Sequence, residues 1–331
     1  MKKTVLSIFC LVGMLSCTNN AEHNIDDANN QNENDTICFV TATKSEAQIL
    51  LGKEDAYTRN LSKFDLTSCP GNESKTKEEF IRLTVNEAQE WNENEKELIR
   101  KCMFAVNDSI RKYDYNLPLP KEIKIVKSPL TTAGGASGYT RSEWIALNMD
   151  KLVNADFKTI QEILVHETFH VLTRNNKDFR KKMYETIGFS INEEELNYPE
   201  DMDSLRISNP DVERFDSYAT FLVDGKEQKC AMTIYSDKPY NGGSFFQYMK
   251  AGFIALDDNL EPLKKDGKTI VYTIDDLDNF WEKVGKNTFY TIDPEEIMAE
   301  NFRYAFLRNQ NMQSPEIIEK IKNIICDSDN N

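Results

Sequence analysis

Three histidines occur in this chain of 331 residues, and two of them stand in His166-Glu167-Thr168-Phe169-His170. Residues four apart on a helix face the same way, so both imidazoles can reach one tetrahedral ion, with Glu167 beside them over its open side. Those are the parts of a metal-assisted hydrolase, two neutral ligands and a general base. With so few histidines, this spacing around a glutamate arises by chance on the order of once in several hundred chains. The alternative, two core histidines and a helix glutamate, buries three polar groups with no partner in view. A catalytic zinc takes a third protein ligand, and His23 lies in a polar amino-terminal stretch, so a carboxylate must supply it. Glu296 and Glu300 of Asp293-Pro294-Glu295-Glu296-Ile297-Met298-Ala299-Glu300-Asn301-Phe302 share one helix face amid apolar neighbours. Like charges so placed repel unless a cation or imidazolium lies opposite. Glu296 also has a local role open to it, because three residues after an Asp293 N-cap it can close a capping box.

The helix that carries the histidines should run from Asp156 to Thr173. Asn154 or Asp156 caps it, and Phe157, Ile160, Ile163, Leu164, Val165, Phe169 and Leu172 make it apolar almost all round, hence central. Leu98, Ile99, Cys102, Ala105, Val106 and Ile110 predict an amphipathic helix from Asn92 or Asn94 to Tyr113, stopped by Leu117-Pro118-Leu119-Pro120. Further helices are expected from Asp178 to Ile187, from Leu277 to Val284, and from Asp293 to Arg308, the last beginning with Asp-Pro. Alternation at Ile123 and Ile125, and again at Trp144, Ala146 and Asn148, reads as strand. Between them lies Ala133-Gly134-Gly135-Ala136-Ser137-Gly138, which lacks the following helix of a phosphate cradle and is read as a flexible hairpin connection. Tyr218 to Val223 and Lys229 to Tyr235 flank Asp224-Gly225, a hairpin signal, and Thr269 to Ile274 is a further strand. Helices mixed with antiparallel-looking strands, without a repeating βαβ order, give an α+β fold with a mixed or antiparallel sheet.

Forty Lys and Arg against 55 Asp and Glu give a net charge of −15, a field that repels phosphate backbones and argues against nucleic acid as a partner. A 40% hydrophobic and 10% aromatic composition excludes a disordered chain, and 29% charged residues exclude a polytopic membrane protein. Lys2 and Lys3 precede an apolar run from Val5 to Leu15, long enough for an export signal and too short to span a bilayer. Met14-Leu15-Ser16-Cys17 resembles the lipobox of bacterial lipoproteins. That resemblance implies removal of residues 1–16 and lipidation at Cys17, the chain's only membrane contact. Residues 17–36, rich in Asn, Asp and Glu, follow as a flexible tether, then an N-terminal extension at 37–91 and the metal-bearing domain at 92–326. Cys38, Cys69, Cys102, Cys230 and Cys326 then remain, an odd set that leaves a thiol free; a Cys38–Cys69 bridge and buried free thiols both stay open.

The metzincin extension is absent, since Thr173 and Asn176 stand where its glycine and third histidine would be. The pairing of His166 to His170 with the later Glu296-Ile297-Met298-Ala299-Glu300 instead resembles the gluzincins of the thermolysin and neprilysin type. The resemblance implies a zincin-like fold, one Zn2+ ion held by His166, His170 and Glu296, and Glu300 as acceptor for a ring N–H, most plausibly of His166. Glu295 and Glu300 are the fallback ligands. Tyr139-Thr140-Arg141, Asn209-Pro210-Asp211 and Gly285-Lys286-Asn287-Thr288-Phe289-Tyr290 are similar to stretches in a group of uncharacterised bacterial lipoproteins with the same motif. No histidine is left to stabilise an oxyanion, so the donor must be a tyrosine, an arginine or a backbone N–H, with Tyr290 and Tyr240 as candidates. The likeness also implies that an extended peptide pairs with the strand from Trp144 to Asn148.

The function expected on this reading is a zinc metallopeptidase, monomeric, lipid-anchored in a bacterial cell envelope and acting on peptide or protein substrates, with Glu167 as base. Alternatives are a non-catalytic zinc-containing surface lipoprotein that acts as a scaffold, and a zinc amidase or deformylase. The cysteine signature of a peptide deformylase is missing upstream of His166.

Overall fold

Caps written into the sequence start most of the helices. The structure, a computed structural model, describes residues 36–327, which fall within one compact unit; the signal segment and Cys17 lie outside the described residues. The chain opens with β1 (Phe39–Thr41), α1 (Lys44–Leu51), α2 (Ala56–Arg59), α3 (Lys63–Ser68) and α4 (Lys77–Asn86). Thr43, Asp55, Ser62 and Thr76 cap these four helices by accepting a backbone N–H three residues on, which satisfies a donor the helix leaves orphaned. Next come α5 (Glu93–Tyr113), β2 (Ile123–Lys127), β3 (Gly138–Arg141), β4 (Trp144–Leu147), α6 (Phe157–Asn175) and α7 (Lys177–Glu185). Asn92 caps α5 and Asp156 caps α6, which decides the two starts that sequence left open.

β1, β2, β4 and β3 form a sheet in that spatial order, with β1–β2 and β2–β4 parallel and β3–β4 antiparallel. Period-2 alternation splits its side chains between two layers. Ile123, Ile125, Ile145 and Leu147 join the large core with α5 and α6, while Val126, Trp144, Ala146 and Tyr139 join a smaller one with Ala47 and Leu51 of α1. Two expectations are corrected here. Trp144–Leu147 lies inside the sheet between β2 and β3, so it is no edge for a peptide; β1 and β3 are the edges. The glycine-rich loop is not a hairpin connection, because the strands it joins, β2 and β3, are not neighbours: β4 lies between them, reached from β3 by a tight turn at Ser142-Glu143. Alternation tells which face a residue occupies but not which strand lies next to it.

The second half adds β5 (Ser190–Ile191), α8 (Glu200–Asp203), β6 (Ser217–Val223), β7 (Lys226–Tyr235) and β8 (Lys250–Leu256). β9 (Lys264–Lys265), β10 (Lys268–Thr269), β11 (Val271–Tyr272), α9 (Phe280–Val284), α10 (Pro294–Phe306) and α11 (Pro315–Ile325) follow. An antiparallel sheet runs β11-β8-β7-β6-β5. The β6–β7 turn is at Asp224-Gly225, both at positive φ (49° and 73°), as a tight hairpin turn requires. The strand expected from Thr269 to Ile274 is instead divided between β10 and β11. The architecture is mixed helix and sheet, α+β, as the element pattern indicated. Residues 37–91 are built into it: β1 pairs with β2, and the buried guanidinium of Arg141 on β3 donates to Asp55 (2.7 Å) and to the carbonyls of Leu51 and Lys53.

Candidate metal centre

α6 and α10 pack side by side in the main core, and their facing polar residues are the expected ones. Asp293 caps α10, with Pro294 at its first position, and its carboxylate accepts from Glu295 N–H (2.9 Å). Glu296 is therefore not held by a capping box. Its Oε2 lies 3.1 Å from His166 Nε2 and 3.9 Å from His170 Nε2, while Oε1 accepts from Asn209 (2.6 Å). Two imidazole nitrogens thus converge on one carboxylate oxygen. Ligand atoms around a tetrahedral zinc with bonds near 2.0–2.1 Å stand about 3.4 Å apart, and the two distances bracket that spacing.

The other ring nitrogens are engaged by carboxylates. His166 Nδ1 is 3.0 Å from Glu300, and His170 Nδ1 is 3.1 Å from Glu295. Glu300 stands where expected, backed by Arg303 (2.8 Å). Glu295, expected as a fallback ligand, is placed instead behind His170, where Thr173 (2.6 Å) and Tyr184 (2.5 Å) donate to it. Such acceptors fix ring tautomer and orientation, so both Nε2 atoms are the ones presented to the centre.

Glu167, buried on α6, faces β3. Thr140 Oγ1 donates to its Oε2 (2.8 Å), and Oε1 lies where a Cβ on Gly138 would come within 2.9 Å. A side chain at Gly138 would therefore push the Glu167 carboxylate from its place. Thr140 N–H donates to Asp211 Oδ1 (2.6 Å), bringing a further acid to the centre. Among the described residues, two sets of three side chains have ligand atoms within 4.8 Å of one another: His166, His170 and Glu296, and Glu167, His170 and Asp211.

Electrostatics make the cluster short of positive charge. Burial pushes the Glu167 carboxyl up, more than His166 and His170 draw it down. Burial and the neighbouring Glu167 push Asp211 well above the carboxylate range. Burial opposes charge on His166 too, yet its bonds to Glu296 and Glu300 raise it well above the usual imidazole range. The clearest sign is His170 Nε2, a fully buried nitrogen without a hydrogen-bond partner among the described residues. Buried polar atoms are rarely left so. Residues present therefore fit a divalent ion: an orphaned imidazole nitrogen, a second imidazole and a buried carboxylate, with acids around them that cation charge would relieve.

Tyr290 is 42% exposed and lines a cavity beside the centre, and burial with the charges of Glu296, Asp211 and Glu167 pushes its phenol well above the ordinary range. Tyr240 also lines the cavity beside the centre, and its hydroxyl donates to the Gly243 carbonyl (2.8 Å) in its own loop. Sequence reasoning on chemistry passed over Thr140, Gly138, Asn209 and Asp211. Thr140, Asn209 and Asp211 do lie in two of the stretches that resemble other lipoproteins, which was the available signal.

The chain matches no known family model, no curated protein and no solved structure.

Proposed function

We propose that this chain is a zincin-like, zinc-dependent hydrolase of peptide bonds, with His166, His170 and Glu296 holding the ion and Glu167 as general base. The observation that carries the reading is the buried, unpartnered Nε2 of His170, aimed at the Glu296 oxygen that His166 also meets. A bound zinc supplies Lewis acidity and brings the pKa of water at the ion down to about 7. The chain's own residues do the rest. Thr140 fixes Glu167 Oε2, which leaves Oε1 to take a proton from the attacking water and return it to the leaving amine. Glu295 and Glu300 keep the two imidazoles oriented, and Tyr290, in the cavity wall with Asp211, donates to the developing oxyanion. Tyr240, tied to Gly243, is the weaker candidate. Export on a lipid anchor at Cys17 belongs to the same reading; no helix among the described residues is long and apolar enough to cross a membrane.

The test is hydrolysis of a quenched fluorescent peptide library by the purified chain after zinc loading, beside Glu167→Gln. Zinc-dependent cleavage that the variant lacks supports the reading; cleavage undiminished in the variant refutes it. The scaffold reading draws on one observation, Asp211 within ligand reach of His170. A structural site closed by Asp211 loses metal in Asp211→Ala, whereas an open hydrolytic site retains it.

A further inference from the structure

Beside the metal centre lies a cavity of about 350 Å3 that the mechanism above does not use. It shares Gly138, Asn209, Asp211 and Tyr290 with the centre, so whatever occupies it lies next to the reacting bond. Six aromatic rings line it: Tyr57, Tyr139, Tyr240, Phe245, Phe246 and Tyr290. Phe246 and Tyr290 are partly exposed, whereas Tyr57 and Tyr139 are buried. The glycine-rich loop finds its role here as one wall. Gly134 sits at φ 69°, and a Cβ there would come within 3.2 Å of Phe245 and 3.3 Å of Phe246.

The acidic and basic side chains of the lining are all acids. Asp65 and Asp211 are in it, and no lysine, arginine or histidine is. Asp65 is 7% exposed; its carboxylate accepts from the backbone N–H groups of Ser62 (2.7 Å) and Ser208 (3.1 Å) and forms no ion pair among the described residues. Tyr57, 9% exposed, lines the cavity, and its hydroxyl has no hydrogen-bond partner among the described residues although Asp65 is within electrostatic reach. An aromatic box of this kind is poorly matched to an aliphatic guest, which would leave the Tyr57 hydroxyl and the remaining acceptor sites of Asp65 and Asp211 unused. It suits a long apolar stem that ends in a cation, held by ring faces and met by carboxylate.

We propose that this cavity is a specificity pocket for a basic side chain, arginine or lysine, of the peptide substrate. The proposal rests on the hydrolase reading for its substrate, and on Tyr57, Asp65 and the aromatic walls for its preference. The −15 net charge of the chain works in the same direction, since it concentrates cationic peptides near the surface.

Two arms test it on the full chain. In the first, zinc-loaded protein is given peptide pools randomised around one fixed residue, either arginine or its uncharged isostere citrulline. The arginine pool should be cleaved at least about tenfold faster in kcat/KM, with the ratio narrowed in Asp65→Asn. In the second, N-acetylarginine amide and N-acetylcitrulline amide are titrated into chelator-treated protein by calorimetry. Saturable binding of the arginine compound alone is expected. Arginine-selective binding without hydrolysis of either pool upholds the pocket and counts against the hydrolase. Hydrolysis with no arginine preference upholds the hydrolase and overturns the pocket, as does equal binding, or no binding, of both amides.

Discussion

Glu295 and Glu296 are neighbours in sequence, yet the start of α10 sends them to different imidazole atoms, Glu295 to His170 Nδ1 and Glu296 to His166 Nε2. Their substitutions should therefore differ in kind. Glu296→Ala removes a ligand and should leave purified protein nearly free of zinc by elemental analysis. Glu295→Ala removes an orienting acceptor and should weaken zinc by about 10–100-fold in chelator competition. Glu167→Gln should bind zinc like the parent and lose about 10²–10⁴-fold in turnover, the share a general base contributes. His166, Glu167 and His170 were legible because helical spacing alone puts them together. Glu295 was not, because its role depends on how α10 is rotated against α6, and that rotation is set by packing of Ile297, Met298 and Phe302 in the core. Asp211 was not, because its meeting with Thr140 joins segments 71 positions apart.

Strand β3 is the element on which the site turns, since Gly138 gives Glu167 room and Thr140 holds it. Gly138→Ala should lower kcat by at least about tenfold through a displaced carboxylate while zinc affinity stays within a few fold, a split that steady-state kinetics and chelator competition resolve. Arg141 secures the same strand from the other side: it is 1% exposed, paired with Asp55 and stacked near the rings of Tyr57 and Trp144. Arg141→Met strands Asp55 and should cost about 3 kcal/mol in denaturant unfolding. Individual elements were largely readable. The helix expected from Asp156 to Thr173 runs as Phe157–Asn175, and the one expected from Asp293 appears as Pro294–Phe306 behind its Asp293 cap. The order of strands was not, because β2 meets β4 through a parallel crossover that leaves no local mark. The helices α1 to α4 went unassigned because their apolar faces are short and gain stability from distant packing, α1 on the sheet and α2 and α4 against each other through Tyr57 and Phe80.

At the scale of the molecule, the buried acids of the centre tie stability to the ion. Zinc at a hundredfold excess over its dissociation constant should add about 2.7 kcal/mol to unfolding free energy, measured as a rise in midpoint that a chelator reverses. Cysteine behaviour follows the same burial logic. Cys38 and Cys69 are both free, so the bridge held open by sequence is not formed. Burial pushes the Cys69, Cys102 and Cys230 thiols up to about 12, whereas Cys38 and Cys326 are exposed. Brief alkylation with peptide mapping should therefore label Cys38 and Cys326 well before the other three. The most direct measurement of the central claim is an anomalous difference map, at the zinc absorption edge, from crystals of the zinc-loaded chain. The account predicts one strong peak within about 2.2 Å of His166 Nε2, His170 Nε2 and a Glu296 oxygen. A map without that peak, or with zinc held elsewhere, would contradict it.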